Sequence, residues 1–231
     1  MKRIRYIVLM VILVSSFGGF AQQDPMFTQY MNQILSMNPA YAGSKGVTSA
    51  TLLVREQWVG WDGYPKTQTL FVHSPLNTEM GVGGSIMSDK FGPLTNIAVL
   101  GDYSYTITYP REKYLSFGLK AGFSFFDAAL SELDLGGFQE EYDPAFEDID
   151  FKFLPKAGVG VYYSTPNFYA GFSVPNLITN RTTKLKLETG TVSRDELHLF
   201  FMGGYVFDFS RILKFKPYFM LRVTPDAPIS T

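Results

Sequence analysis

From residue 46 onward, apolar and polar positions alternate with a period of two, which is the pattern of strands that present one apolar face. In 117–125, Phe117, Leu119, Ala121, Phe123 and Phe125 share one face, and Gly118, Lys120, Gly122 and Ser124 take the other. In 97–109, Ile97, Val99, Tyr103, Tyr105, Ile107 and Tyr109 oppose Asp102, Ser104, Thr106 and Thr108. In 215–223, Phe215, Pro217, Phe219, Leu221 and Val223 oppose Lys216, Tyr218, Met220 and Arg222. The alternation predicts nine strands, at about 47–57, 66–73, 80–89, 95–108, 114–126, 154–164, 167–174, 195–208 and 214–223. A soluble sandwich also alternates, because one face of each sheet meets water. Here the apolar face is densely aromatic near strand ends and the polar face is small and Gly-rich, which favours a membrane barrel.

The connections sort by length. They are short around Ser74-Pro75-Leu76-Asn77, Pro110-Arg111-Glu112, Thr165-Pro166-Asn167 and Ser210-Arg211, and long over 127–153 and 175–194. Tight periplasmic turns and longer outside loops are the asymmetry of outer-membrane barrels. The outside connections near 58–65 and 90–94 are short as well. A bacterial single-chain barrel normally has an even strand count. Nine strands would leave Thr231 outside and an edge unpaired in lipid. Pro225 and Pro228 also look like a loop, so further strands are expected beyond residue 231.

The first segment reads as an address. Lys2, Arg3 and Arg5 precede an apolar run from Tyr6 to Val14, and small residues at Gly19 and Ala21 complete a signal peptide cleaved after Ala21. No later stretch has 18 uncharged apolar residues, so any membrane crossing would be by strands. The expected organisation is a signal peptide at 1–21, a periplasmic N-terminal segment with a short helix at 22–45, and a barrel domain at 46–231, incomplete at its C-terminus.

Composition narrows the chemistry. Twenty basic against 21 acidic residues give no basic surplus for nucleic acid. With no Cys, disulfides, zinc-thiolate sites and thiol nucleophiles drop out. His73 and His198 lack triad partners at recognisable spacing. Gly81-Val82-Gly83-Gly84 lies within a strand and lacks the helix that a dinucleotide site needs. No catalytic residue, cofactor or metal site is therefore expected.

Four segments invite a contact or binding role. Asp24-Pro25 before Met26 to Leu35 carries the N-cap and first-turn proline of a short helix, which could dock to a partner, plug a lumen or tether to the rim. Trp58, Trp61 and Tyr64, spaced by Gly60 and Gly63, suit either an interface girdle or a partner surface. The nine acids from Asp127 to Asp150 read as a solvated loop, without the spacing of a calcium loop. Arg181, Lys184, Lys186 and Arg194 make the 175–194 loop basic, which suits contact with lipid phosphate or an acidic partner, and a merely solvated loop accounts for them better.

The mature start, Gln23-Asp24-Pro25-Met26-Phe27-Thr28-Gln29-Tyr30, continues to Met37-Asn38-Pro39-Ala40-Tyr41-Ala42-Gly43. With Arg55 to Thr69, His73-Ser74-Pro75-Leu76, Asp89-Lys90-Phe91-Gly92-Pro93, Phe117 to Gly122 and Gly171 to Leu177, it resembles the PorP/SprF family of type IX secretion and gliding-associated outer-membrane proteins. Glu56 departs from that pattern, where the family usually has a small polar residue. The resemblance implies an all-β, antiparallel transmembrane barrel of about fourteen strands, of which nine are present here. It implies a non-enzymatic component that assists export or surface anchoring. Its partners would be outer-membrane lipid, the type IX translocon, a periplasmic ring with its peptidoglycan-linked lipoprotein, and a large secreted adhesin-type client. The contact candidates are Asp24, Pro25, Tyr30, Asn38, Pro39 and Tyr41 in the N-terminal segment, and Gln57, Trp58, Trp61, Gly63, Pro65, Lys66 and Gln68 around the first loop. A passive porin and a soluble β-sandwich adhesin are the alternatives.

Overall fold

The computed structural model describes residues 33–129, 149–178, 197–210 and 213–224. The signal peptide, the expected helix as far as residue 32, most of the acidic loop and the basic residues of the 175–194 loop lie outside them. Within the described residues the chain opens with one helical turn, α1 (Ile34–Met37), and a 3-10 turn (Pro39–Tyr41). Strands follow at β1 (Ser49–Glu56), β2 (Lys66–Pro75), β3 (Met80–Phe91), β4 (Leu94–Tyr109), β5 (Lys113–Ala128), β6 (Ile149–Ser164), β7 (Phe168–Val174) and β8 (Leu199–Tyr205). The short β9 (Phe207–Asp208) and β10 (Lys214–Phe215) precede β11 (Tyr218–Val223). No helix among the described residues is long and apolar enough to cross a membrane.

Eight strands in chain order, with β11 beside β8, form one nine-stranded antiparallel sheet. Three expected strands change, and the one expected at 195–208 runs only from Leu199 to Tyr205 in the main sheet. β6 begins at Ile149 rather than 154, because the chain keeps pairing with β5 past a register shift between Phe126 and Ala128. The expected last strand, 214–223, is interrupted at Lys216-Pro217. Proline has no N–H to give a ladder, and Lys214 and Phe215 instead pair back with Asp208 and Phe207 as a separate hairpin.

The faces are inside out relative to a soluble protein. On β5, Leu119 is 60% exposed while its neighbour Lys120 is 3% exposed. The same holds across the sheet: Leu52, Leu70, Ile86, Tyr103, Phe117 and Phe219 point outward into the open. Thr69, His73, Ser85, Asp102, Ser104, Ser116 and Ser173 are buried on the other side. A half-buried soluble sheet hides its apolar face; a membrane strand turns that face to lipid.

The sheet is strongly curved. β2 and β6 are four strands apart, which on a flat sheet is about 19 Å. Yet the Tyr41 ring lies 5.7 Å from His73 of β2 and 5.5 Å from Tyr162 of β6. Residues 33–43 occupy the hollow that this curvature makes, and the chain emerges from it at Ser44. Leu35 and Ala42 pack on Phe71, and Ile34 and Met37 on Phe200 and Met202.

Candidate functional site

The N-terminal segment is seated by polar side chains at defined points on the concave wall. Asn38 is fully buried, and its Oδ1 accepts a hydrogen bond from the Ala40 amide at 3.0 Å, capping the 3-10 turn that Pro39 opens. Its Nδ2 donates to the Val161 carbonyl at 3.0 Å, so one side chain both starts the turn and ties it to β6. The Ser104 hydroxyl donates to the Ala42 carbonyl at 2.7 Å. The Gly43 amide donates to His73 Nδ1 at 3.2 Å, which requires the imidazole tautomer with its proton on the other nitrogen. Tyr41 meets Tyr162 edge-on at 89°, and burial pushes its phenol up, offset in part by the Ser44 side chain.

Close approach depends on missing side chains. A Cβ at Gly118 would run into Ala40 N and the Pro39 carbonyl carbon, one at Gly160 into Asn38 Oδ1, and one at Gly81 into Ala42 O. These glycines all lie on the polar face of their strands. Their absent side chains form the bed on which the segment lies.

Lys120 anchors the other end. Its ammonium donates to the carbonyls of Leu35 at 3.1 Å and Ser36 at 3.2 Å, and lies 3.4 Å from Asp102 Oδ1. The register places Asp102 directly opposite Lys120. A cation at the carbonyl end of a helical turn meets orphan acceptors and the negative end of the backbone dipole.

The first loop is at the far end of the same strands. Gln57 N donates to Pro65 O at 3.0 Å, Trp61 N to Trp58 O at 3.2 Å and Tyr64 N to Trp61 O at 3.3 Å. Trp58 itself takes a positive φ of 55°. The loop leans on the β3–β4 turn, where Gly92 N donates to Gly63 O at 2.9 Å. A Cβ on Gly63 would lie 3.1 Å from Gly92 Cα. Trp58 and Trp61 are 69% and 77% exposed. Lys66 closes the loop through a solvated 2.9 Å ion pair with Glu56, the residue opposite it, and Gln68 points outward from β2.

The contact candidates therefore separate into two groups. Asn38, Pro39 and Tyr41 are set into the hollow, near Pro75 and Gly81 at the tight-turn end. Gln57, Trp58, Trp61, Gly63, Pro65, Lys66 and Gln68 gather at the long-loop end, the length of β2 or about 30 Å away. Asp24, Pro25 and Tyr30 lie outside the described residues. Alternation alone missed the Asp102–Lys120 pair and the glycine bed; the available signal was opposite charge and recurrent Gly on one polar face.

Comparison with curated proteins and with solved structures gave no match. A family model described as type IX secretion system membrane protein PorP/SprF matches residues 19–231. That match spans the N-terminal segment, its bed and the whole inside-out sheet, and the chain belongs to the PorP/SprF family of type IX secretion system membrane proteins.

Proposed function

We propose that this type IX component is an integral outer-membrane barrel that acts without chemistry of its own, holding or chaperoning a secreted, adhesin-type client at the cell surface. The observation that carries the reading is the filled hollow: residues 33–43 occupy the concave face and are bonded to β2, β4, β5 and β6. A wall packed in this way suits anchoring better than conduction, and so fits a passive porin less well. A sandwich adhesin would need an apolar face covered by a second sheet, and Leu119 and Phe219 face outward in the open instead.

In this reading a cleaved signal peptide directs export, and residues 22–45 enter from the periplasmic side, where the tight turns lie. The translocon and the periplasmic ring with its lipoprotein are the neighbours on that side. Trp58 and Trp61 face the outside and form the client surface. The test is a strain carrying Trp58→Ala with Trp61→Ala. Barrel assembly, read by heat-modifiable gel mobility, should be unchanged, while surface-displayed client falls about tenfold, the size of losing an aromatic hot spot. Unchanged display overturns the client role, and large steady conductance in planar bilayers would replace it with a pore.

A further inference from the structure

Beside α1, on the long-loop side, the concave wall borders a partly open cavity of about 110 Å³, room for several waters or one compact polyatomic group. Lys120, Lys156, Arg222, His198, Thr69 and Asn176 supply the polar part of its lining, and Phe71, Met87, Leu100 and Phe200 much of the rest. The three cations come from β5, β6 and β11, which only the curvature of the sheet brings to one space. Lys120 opposes Gly158 and Lys156 opposes Gly122, so the two lysines sit diagonally on adjacent strands, with exposures of 3% and 7%. Thr69 is 2% exposed, and its hydroxyl has no hydrogen-bond partner. A buried, unpartnered hydroxyl is costly to leave unmade, and it sits in the wall of the same cavity.

We infer that this cavity binds a phosphate-sized oxyanion, held by Lys156 and Arg222 with a hydrogen bond from Thr69. A guanidinium carries five donors and an ammonium three, so both can hold an oxyanion alongside their other partners. Arg in particular matches tetrahedral oxyanions with paired donors. Lys120 directs its ammonium to Leu35, Ser36 and Asp102, so it contributes field rather than a bond. Ser36 and Met37 of α1 form part of the wall, and the bound oxyanion thereby steadies the seated N-terminal segment.

The source is either free phosphate or a phosphorylated lipid headgroup. The test uses the whole protein extracted in detergent and freed of lipid. Its unfolding temperature is followed against inorganic phosphate, with chloride at matched ionic strength as control, and in a second arm against micelles doped with a phosphate-monoester lipid. A saturable rise with inorganic phosphate assigns the free ion; a rise with the lipid alone assigns the headgroup. In either arm Lys156→Gln and Arg222→Gln should weaken the response about tenfold, the loss of one charge-assisted hydrogen bond. Thr69→Val removes only the orphan hydroxyl and should keep the fold while weakening the response. No rise in either arm beyond chloride, or a response unchanged in Thr69→Val and in whichever of the charge variants folds, overturns the site.

Discussion

Asp102 and Lys120 face each other directly across β4 and β5, carboxylate and ammonium 3.4 Å apart, with side chains 0% and 2% exposed. The pair does two jobs at once, because the same ammonium also holds the Leu35 and Ser36 carbonyls. It couples the wall of the sheet to the segment in its hollow.

Removing one member leaves a buried charge without its partner, which costs about 3–5 kcal/mol. Lys120→Met should therefore lower the temperature at which heat-modifiable mobility is lost, and should expose residues 33–43 to protease. Lys120→Met with Asp102→Leu should recover most of the sheet stability but not the protection of the segment. A double variant as protease-resistant as the original protein would mean that Lys120 does not anchor α1.

The glycine bed makes a second expectation. Gly118→Ala and Gly160→Ala each place a methyl where Ala40 or Asn38 now lies. Both should dislodge the segment, read as faster cleavage within 33–43. Gly101→Ala is the control, since its Cβ would meet Ala121 O at an ordinary 3.7 Å, and its digestion pattern should not change.

Asn38 carries two hydrogen bonds while wholly buried. Asn38→Ala should cost about 1–3 kcal/mol through the unpaired groups left behind. Asn38→Asp keeps the cap on Ala40 but sets a buried carboxylate against the Val161 carbonyl, so its thermal unfolding temperature at neutral pH should fall at least as far as that of Asn38→Ala. Equal stability of Asn38→Ala and the original side chain would show that the turn is held by packing alone.

The inside-out faces predict opposite tolerances at adjacent positions. Leu119→Arg puts a charge on the lipid side of β5 and should destabilise the inserted protein by about 2–4 kcal/mol if it lies near the midplane. In a soluble protein the same exposed position would take arginine with a change of about ±0.5 kcal/mol. Unfolding of the protein in lipid vesicles distinguishes the two.

The outward Phe117 and Leu119 and the inward Lys120 were legible in the alternation, as were most strand limits. The interruption at Pro217 and the hairpin of Phe207 and Asp208 with Lys214 and Phe215 were not read from the sequence, because the two-residue rhythm runs on through Phe215, Pro217 and Phe219 and does not say which strand each residue pairs with. Asn38 and Pro39 stood out as a motif without any sign that they are buried. Their burial depends on Gly118 and Gly160, distant along the chain.

Period-two patterning by itself determined which face each strand residue takes, since a slip of one residue would move every side chain to the wrong medium. It therefore also determined that the hollow side is small, polar and sparsely charged. Only the tertiary structure decided which of those polar residues meet. Register set Asp102 against Lys120, and curvature carried His73 and Tyr162 to the two sides of Tyr41. Those relations depend on how strands are stacked and bent, a cooperative property of the whole sheet to which no single segment's pattern is sensitive.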